Sequence, residues 1–427
     1  MKNIIIKFLN LEPSEILSID VFSEQDEVFA YIILKRKYNH CPKCNTVTNR
    51  IHDYNERTIS HAILNGINTT IVYKQRRYHC HNCNKSFVEP NPFVNPKKRI
   101  SKYTVLRIMK ELKNPKYTFS MVAENCGVSA STVMHVFDNS VGIPNKKLPT
   151  ILCIDEVFAV KFKQRVYACV LLDWHTGQIY DLLPNRRKYY LAKHFTKIDK
   201  EIRDKVTYVS IDMWTPYKDF ATLYFRNAKI CVDNFHITKL INYAFDKVRI
   251  RIMNSYAHNT DEYYLLKKYN WLIKKKYDDI DNDKRITIHR KMAYFYSKHV
   301  IPRDLINVML HIDSELEIAY ALKESFNDLN KEATSETIES YLDSFLNDLR
   351  IYNIPEFNNV IYSFTKWKQE IINSFDIVDG RRVSNGPIES VNSRIKLIKR
   401  NANGYTNFER FKKRILYSLN KDSFIKF

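Results

Sequence analysis

Glu389 is a carboxylate in a strongly basic part of the sequence. The stretch DGRRVSNGPIESVNSRIKLIKR runs from Asp379 to Arg400 and places this acid among basic side chains. An acid so outnumbered by bases is either a solvated surface residue or the ligand of a metal ion that works beside a polyanion. Its basic neighbours in the stretch are Arg381, Arg382, Arg394, Lys396, Lys399 and Arg400.

Three aspartates occur within or at the ends of apolar segments that have the pattern of β-strands. Asp155 lies within TILCIDEVFAVK, Asp212 ends VTYVSID and Asp233 ends AKICVD. A carboxylate in an apolar strand is costly unless it is paired or bound to a cation. Each aspartate alone could be a turn residue or a partner of Lys or Arg, but three on one sheet favour a functional site. Glu156 is expected on the other face of its strand, and Asp173 is expected to begin a turn.

Four of the eight cysteines form two Cys-x-x-Cys pairs, CPKC and CHNC, with 35 residues between the pairs. Four thiolates at this spacing fit one tetrahedral structural zinc ion, while unrelated thiols or two disulfides are the alternative. The intervening segment alternates like a β-hairpin, with a turn at Asn65-Gly66, which is typical of a zinc ribbon. The remaining four cysteines are isolated in apolar surroundings and are expected in the core. The predicted zinc ligands are Cys41, Cys44, Cys80 and Cys83.

The segment YTFSMVAENCGVSASTVMHVFD, residues 117–138, has apolar positions that fit two helices joined by a tight turn at Gly127. Ser129 or Ser131 is expected to cap the second helix, which would lie in the major groove of DNA. An ordinary helical hairpin is the alternative. The adjacent basic run PKKRISK strengthens the DNA-binding interpretation. The expected DNA contacts of this region are Lys97, Lys98, Arg99, Ser131 and Thr132.

The elements that position the acids begin at Thr150. Three consecutive predicted strands are followed by a helix, a fourth strand that ends at Asp212, a short helix and a fifth strand. This order is typical of a ribonuclease-H-like α/β domain. After Lys239 the pattern becomes mostly helical to about residue 375, and Pro387 then suits the first turn of the helix that carries Glu389. The strands are predicted at 150–161, 165–177, 178–186, 206–214 and 228–239, and the helices between them at 189–205 and 216–225.

The charge of the 427-residue chain points to nucleic acid first and to an anionic membrane second. There are 68 basic and 47 acidic side chains, for a net charge of +21. No apolar run is long enough to span a bilayer, and the start MKNIIIKFLNLEP has no cleavage site of a signal peptide, so a cytoplasmic, nucleoid-associated protein is expected. Residues 1–149 carry +10 and residues 381–427 carry +9, whereas residues 301–380 carry −9. We therefore expect DNA contacts near both ends and a different role for the acidic segment.

The sequence resembles the DDE transposases of bacterial insertion sequences, in particular the ISL-type group in which a zinc ribbon and a helix-turn-helix precede the catalytic domain. The resemblance covers nearly the whole chain. It rests on the cysteine pairs, on CIDEVF, SIDMWTPY and CVDNFHI, and on SNGPIESVNSRIKLIKRNANGYTNFERFKKRIL. The last motif is the most specific, and its glutamate follows Asp212 by 177 positions, which fits the helical insertion found in such enzymes.

The resemblance implies that Asp155, Asp212 and Glu389 form the catalytic triad and hold two Mg²⁺ (or Mn²⁺) ions, with Asp155 bridging them. Water would be the first nucleophile and the freed 3′-hydroxyl the second. Other residues of the motifs would orient the ligands or bind DNA phosphates near the cut. The orienting residues would be Asp233, His236 and Asn392, and the phosphate contacts would come from Arg394, Lys396, Lys399 and Arg400.

The expected fold is an α/β catalytic core with an RNase-H-like mixed sheet and a helical insertion, preceded by a zinc ribbon and a helix-turn-helix. Predicted domains are a zinc ribbon (1–95), a helix-turn-helix with linker (96–149), the first part of the catalytic core (150–238), the helical insertion (239–380) and the C-terminal part of the core (381–427).

The expected partners are double-stranded DNA, as element ends and as target, and further copies of the chain, at least a dimer on DNA. No membrane partner is expected. The alternatives are a non-catalytic DNA-binding regulator, which leaves the acids unexplained, and a nuclease of RNA–DNA hybrids, which leaves the two DNA-reading modules unexplained.

Overall fold

A computed structural model describes residues 11–24, 27–64, 67–162, 164–292 and 294–426. The chain forms two compact units. The first unit comprises Met1–Lys146, Phe158–Val166 and Asn392–Phe427, and the second comprises Lys147–Val157 and Tyr167–Val391. These units divide the chain by compactness, whereas the boundaries drawn from the sequence divide it by function, and those boundaries remain predictions.

The zinc-ribbon part of the first unit is built on a five-stranded sheet. Its order is β1-β2-β6-β5, and β7 pairs with β6. Long strands β5 and β6 are antiparallel, which confirms the predicted hairpin, although Asn65-Gly66 lies outside the described residues. Its strands are β1 (Ile16–Glu24), β2 (Glu27–Leu34), β5 (Ile51–Leu64), β6 (Ile67–His79) and β7 (Ser86–Val88), while β3 (Asn39–His40) and β4 (Val47–Thr48) pair with each other outside this sheet.

Three helices follow the sheet, α1 (Lys102–Leu112), α2 (Phe119–Cys126) and α3 (Ala130–Ser140), and the last two are the predicted helix-turn-helix. Gly127 ends α2 with a φ of 64°, a left-handed conformation that glycine adopts without steric cost. The Ser129 hydroxyl accepts a hydrogen bond from the Thr132 N–H and caps α3. Ser129, rather than Ser131, is therefore the N-cap residue of the second helix.

A C-terminal helix, Phe408–Leu419, packs on these three helices within the first unit. Its Tyr417 belongs to the same buried cluster as Ile108, Val122 and Val133. The Arg410 guanidinium also binds both carboxylate oxygens of Asp138, at 2.6–3.2 Å. The helix-turn-helix core is thus completed by residues almost 300 positions further along the chain.

The second unit contains the mixed sheet predicted for the catalytic core. Its order is β11-β10-β9-β12-β13, in which β12 runs parallel to both β9 and β13, and β10 runs antiparallel to β11. This arrangement confirms the RNase-H-like fold. The new strands are β8 (Val141–Gly142), β9 (Ile151–Phe162), β10 (Gln164–Asp173), β11 (Ile179–Leu183), β12 (Tyr208–Ile211) and β13 (Lys229–Val232), with β8 outside this sheet.

The fifth strand is shorter than the sequence pattern predicted. The strand ends at Val232, and a long helix begins at Asn234, so the prediction of a strand over 228–239 was wrong for its second half. Asp233 adopts the extended conformation of an N-cap residue between the two elements. The apolar Ile237 and Ile241 are buried one helical turn apart, which is a helical and not a strand periodicity.

Helices make up most of the remaining second unit, which confirms the helical insertion. The acidic segment packs on the basic stretch before it, since Arg251 binds Glu315 and Glu356 at 2.8 and 2.6 Å. The helices around and after the sheet are α4 (Lys188–Phe195), α5 (Lys200–Arg203), α6 (Thr215–Tyr224), α7 (Asn234–Ser255), α8 (Asp261–Lys268), α9 (Asn270–Ile273), α10 (Pro302–Leu310), α11 (Ser314–Glu332), α12 (Ile338–Tyr352), α13 (Asn358–Lys366), α14 (Lys368–Asn373), α15 (Gly386–Asn401) and α16 (Phe408–Leu419).

Short elements complete the described chain. Two-residue strands are β14 (Ile286–Thr287), β15 (His299–Val300), β16 (Ile377–Val378), β17 (Arg381–Arg382) and β18 (Phe424–Ile425), and 3-10 helices lie at Pro13–Glu15, Tyr277–Asp279 and Pro355–Phe357. Among the described residues, no helix has both the length and the apolar character that crossing a bilayer requires.

Candidate catalytic site and nucleic-acid interface

Two short parallel strands, β12 and β13, end at the same level of the sheet, and with the longer β9 they bring three aspartates of the second unit to that level. Ile211 of β12 pairs in register with Ile154 of β9 on one side and with Val232 of β13 on the other. The next residue along the chain is an aspartate in each case: Asp212 and Asp233 follow the carboxyl ends of β12 and β13, and Asp155 lies inside β9, which continues to Phe162. Ligand sites in parallel α/β sheets form at the carboxyl ends of the strands.

His236 joins two of these aspartates in a compact cluster. Because α7 begins at Asn234, His236 lies in its first turn, with Nδ1 3.4 Å from an oxygen of Asp233 and 3.3 Å from Oδ1 of Asp212. Ligand atoms of these three residues all lie within 4.8 Å of one another, so the cluster could hold a metal ion. Two carboxylates and an imidazole suit a divalent cation such as Mn²⁺, and the carboxylates alone suit Mg²⁺.

The electrostatics of the cluster indicate a place for positive charge. Burial and, after it, the neighbouring Asp212 carboxylate together raise the pKa of the Asp155 carboxyl to about 7. Burial also raises the pKa of Asp212. The adjacent Asp233 carboxylate is the largest cause of a raised pKa at His236. Carboxylates crowded in this way are stabilised in their ionised form by a bound cation.

Glu389 lies in the first turn of α15, and its side chain is exposed. Asn385, immediately before the helix, donates a hydrogen bond from its side-chain amide to Oδ1 of Asp212 at 3.2 Å. The Glu389 N–H donates to the Asn385 carbonyl at 3.1 Å, so the two residues are one helical turn apart. Asn385 therefore fixes the start of the glutamate helix to the carboxylate that ends β12.

The structure does not gather the three predicted metal ligands as closely as the Asp212 cluster. Among the described residues, Asp155 and Glu389 lie outside the group whose ligand atoms are all within 4.8 Å. Asp233 and His236, which the sequence assigned to orienting roles, lie inside it. The assignment of the triad and of these two residues remains a prediction.

Asn385 and Glu156 lie near the Asp212 cluster, although the sequence analysis gave Asn385 no role and expected Glu156 only on the other face of its strand. The Glu156 carboxylate pairs with Arg186 and accepts a hydrogen bond of 3.2 Å from the Tyr217 hydroxyl. Glu156 also raises the pKa of Asp212 after the larger effect of burial. The Asn-Gly-Pro turn was a signal for Asn385, because the residue before a helix commonly bonds to nearby polar groups. Nothing in the sequence identifies the partners of Glu156.

The four zinc-ribbon cysteines form a second metal-binding cluster, in the first unit. Their sulfur atoms lie within 4.8 Å of one another, with Sγ–Sγ distances of 3.5 Å for Cys41–Cys83 and Cys44–Cys80. A tetrahedral zinc site with Zn–S bonds of about 2.3 Å requires sulfurs about 3.8 Å apart. All four are free thiols, and the hydrogen bond with Thr46 is the largest cause that lowers the pKa of Cys44 to about 5. The cluster is therefore a structural zinc site.

The residues predicted to contact DNA are mostly exposed. Arg394, Lys396 and Arg400 project from α15, and Lys97–Arg99 from the loop before α1. The Lys399 ammonium, in contrast, donates to the Phe158 carbonyl and lies 4.3 Å from the centre of the Phe158 ring, so part of its hydrogen-bonding capacity is used. Asn392 is buried.

The exposed hydroxyls at the start of α3 take part in its cap. Ser131 and Thr132 each lie 2.9 Å from the Ser129 hydroxyl oxygen. The residues predicted to contact DNA at this helix are therefore held in place before any DNA binds. Whether each of them reaches DNA remains a prediction.

Two family models match the chain. The model of the ISL3 family of DDE transposases, described as "Transposase", matches residues 152–415, and a model described as the zinc-finger of transposases IS204, IS1001, IS1096 and IS1165 matches residues 37–83. The first match alone covers more than half of the chain. The chain belongs to the ISL3 family of DDE transposases. This membership confirms the resemblance drawn from the motifs, and the cysteine cluster agrees with the second match.

A curated protein of Lactococcus lactis subsp. lactis, named ATP-dependent protease, is similar to a shorter part of the chain. The two are 28% identical over 135 residues, which are 31% of this chain and 40% of that protein. The chain therefore spans less than half of this relative, and the family membership rests on the family models.

Proposed function

We propose that the chain is a DNA transposase that binds the terminal inverted repeats of its own insertion sequence and catalyses metal-dependent strand cleavage and strand transfer. The observation that carries this proposal is the alignment of three aspartates at one level of three register-paired parallel strands, with Asp212 and Asp233 just after the ends of β12 and β13 and Asp155 inside β9. Carboxylates so placed supply hard oxygen ligands, and family membership gives the reaction class.

Asp155, Asp212 and Glu389 would hold two Mg²⁺ or Mn²⁺ ions, and bound divalent cations supply charge stabilisation for the attacking and leaving oxygens of phosphodiester transfer. His236 lies 3.3 Å from Asp212 and 3.4 Å from Asp233, so it would orient Asp212 with support from Asp233, or both residues would share in holding the ion. Asn385 keeps the helix that carries Glu389 against the same carboxylate. Water attacks first, and the freed 3′-hydroxyl attacks the target DNA.

The basic residues of the first unit would bind the DNA phosphates. Arg394, Lys396 and Arg400 follow Glu389 on α15, while Lys97–Arg99 and the capped start of α3 offer a separate surface. Phosphate contacts of this kind supply most of the affinity for DNA. Because two element ends must be joined, we infer at least two protomers in the active assembly.

The test uses duplexes that carry the DNA flanking the gene on each side. Mg²⁺-dependent cleavage should fall by more than about 100-fold in each of Asp155→Asn, Asp212→Asn and Glu389→Gln. Replacing a residue that only orients a metal ligand already lowers activity by about 10- to 100-fold, and the loss of a ligand should cost more. End binding should change by less than about threefold, since distant phosphate contacts dominate it. Asp219→Asn, an exposed acid of α6, is the matched control.

Near-normal cleavage by any one of the three variants would remove that residue from the ligand set. Asp233→Asn and His236→Asn then decide whether these two residues hold the metal ion or only orient Asp212. A loss as large as that of Asp212→Asn makes them ligands, and a smaller loss makes them positioning residues. Specific binding without cleavage by the unmodified protein would favour the DNA-binding regulator. Cleavage without transfer into a second DNA would favour the nuclease.

A further inference from the structure

A cavity of about 710 Å³ opens beside the Asp212 cluster, entirely within the second unit. Asp212 and His236 form part of its wall. The other lining residues are unusual for a site that handles only phosphates, because three large aromatic side chains are among them. These are Trp214, Tyr243 and Trp367.

Trp214 is held in a defined position next to the candidate metal ligand. Trp214 follows Asp212 by two residues, and its backbone N–H donates a hydrogen bond to the Asp212 carbonyl at 2.6 Å. Its ring meets that of Tyr217 edge to face at 4.6 Å. The Arg186 guanidinium lies 4.7 Å from the centre of the Trp214 ring, and Glu156 binds this guanidinium. The indole is thus fixed before any ligand binds.

The charges of the cavity favour a flat occupant whose anionic group lies at Lys239, because Asp212, the other lining charge without a Lys or Arg partner in an ion pair among the described residues, is the candidate ligand of a cation. Asp246 is paired with Lys274 at 3.0 Å and with Arg249, and Glu156 is paired with Arg186, so these acids are neutralised. Lys239 is exposed and makes no ion pair in the described part of the chain. An aromatic wall with a lysine ammonium is the combination that binds a base through stacking and its phosphate through charge.

The size of the cavity limits the occupant. Sites for small molecules range from about 300 to 1,000 Å³, which accommodates a single nucleotide but not a stacked base pair. The neighbouring Asp212 requires that nucleotide to adjoin the phosphate that reacts. We propose that this cavity binds one unpaired nucleotide of the DNA substrate beside the scissile phosphate, with its base against Trp214 and Tyr243 and its phosphate near Lys239. This inference rests on the proposed function, because it specifies the state of the DNA at the same site.

The experiment uses the full chain and end duplexes in which 5-iodouracil replaces single bases on both sides of the cleaved bond. Ca²⁺ replaces Mg²⁺ to hold the uncleaved complex. Irradiation should give adducts on Trp214 or Tyr243 from one position, or from two adjacent positions, and not from bases further into the duplex. Peptide mass spectrometry locates the adducts. Because the crosslinking experiment uses the unmodified protein, its result does not depend on how a variant folds.

Kinetics provide the second arm. Trp214→Ala should slow cleavage by roughly 5- to 150-fold, the value of one base–aromatic stack, whereas Trp214→Phe should retain most of the rate. A mispair at the crosslinking position should accelerate cleavage by the unmodified protein, because a mispaired base requires less free energy to leave the duplex. Trp271→Ala is the matched control, since Trp271 is 46% exposed, carries the Lys275 ammonium 5.1 Å over its ring and does not line the cavity.

The outcomes separate this inference from the proposed function. If the unmodified protein neither binds nor cuts the end duplexes, the proposed function itself is wrong. If it cuts them while every adduct maps outside the cavity and mispairs change nothing, the DNA remains paired and the nucleotide site is wrong. A Trp214→Ala rate equal to that of Trp271→Ala leads to the same conclusion.

Discussion

The buried Arg414 provides the most direct test of how the first unit is assembled. Its side chain has no exposed surface. The guanidinium donates to the carbonyls of Leu112, Asn114 and Tyr117, the last two at 3.0 and 2.8 Å, and burial lowers the pKa of this group. These carbonyls end α1 and form the connection to α2. One side chain of the C-terminal helix α16 therefore donates hydrogen bonds to the backbone segment that connects α1 to α2.

Replacing Arg414 with Met keeps the apolar stem and removes the donors. The Leu112 carbonyl would keep its hydrogen bond of 3.1 Å from the Ser418 hydroxyl and lose the charged one, and a hydrogen bond from a charged donor is worth about 1–3 kcal/mol. The Asn114 and Tyr117 contacts are only partly buried, so water can replace the donor there, and each adds about 0.5–1 kcal/mol. The sum is a loss of about 2–5 kcal/mol, which corresponds to a roughly 30- to 5,000-fold loss of protection from hydrogen exchange.

Hydrogen exchange measured by mass spectrometry on the full chain is the assay. Peptides from residues 102–140 should exchange faster in Arg414→Met, while peptides from β9, β12 and β13 should not change. Lys413→Met is the matched control, because it removes one positive charge from the same helix, and the Lys413 side chain makes no hydrogen bond in the described part of the chain. Equal exchange of residues 102–140 in the two variants would show that the helix-turn-helix is stable without this contact.

Three further predictions concern zinc, pH and the acidic segment. Replacing Cys80 and Cys83 together with Ser should abolish zinc in elemental analysis and weaken end binding, because two thiolate ligands are lost. Burial lowers the pKa of His61 to about 4, so the unfolded chain binds a proton at this residue at a higher pH than the folded chain does. The free energy of unfolding should therefore fall by about 2 kcal/mol between pH 7 and pH 5. Denaturant titrations of His61→Gln should show a smaller fall. Photo-crosslinking of an end duplex should give few adducts on residues 301–380, because their net charge is −9.

Each of these predictions has an outcome that contradicts it. Full zinc occupancy in the double cysteine variant would reject the four-thiolate site, and Cys126→Ser, at a buried cysteine outside it, should leave the zinc content unchanged. A pH dependence that is identical in His61→Gln would assign the titration to other groups. Dense adducts across residues 301–380 would show that this segment presents a surface that its formal charge does not describe.

The sequence by itself determined the parts whose signals are local. Two Cys-x-x-Cys pairs with a hairpin between them specify a zinc ribbon because each pair supplies two ligands from one turn. The helix-turn-helix was likewise specified by Gly127 and its capping serine, since left-handed turns and caps act over a few residues. Apolar segments that end in aspartates indicated the parallel strands, although the segment after Asp233 was assigned to a strand because short apolar runs do not distinguish a strand from a buried helix.

Only the tertiary structure decided which distant groups meet. Asn385 bonds to Asp212 across 173 positions, and Arg414 reaches Leu112 across 302. His236 joins Asp212 because α7 begins immediately after β13, which places an imidazole over the neighbouring strand end. The cavity behind Trp214 likewise exists only in the folded chain. Such contacts leave no periodic signal in the sequence, because their geometry depends on strand register and on helix packing.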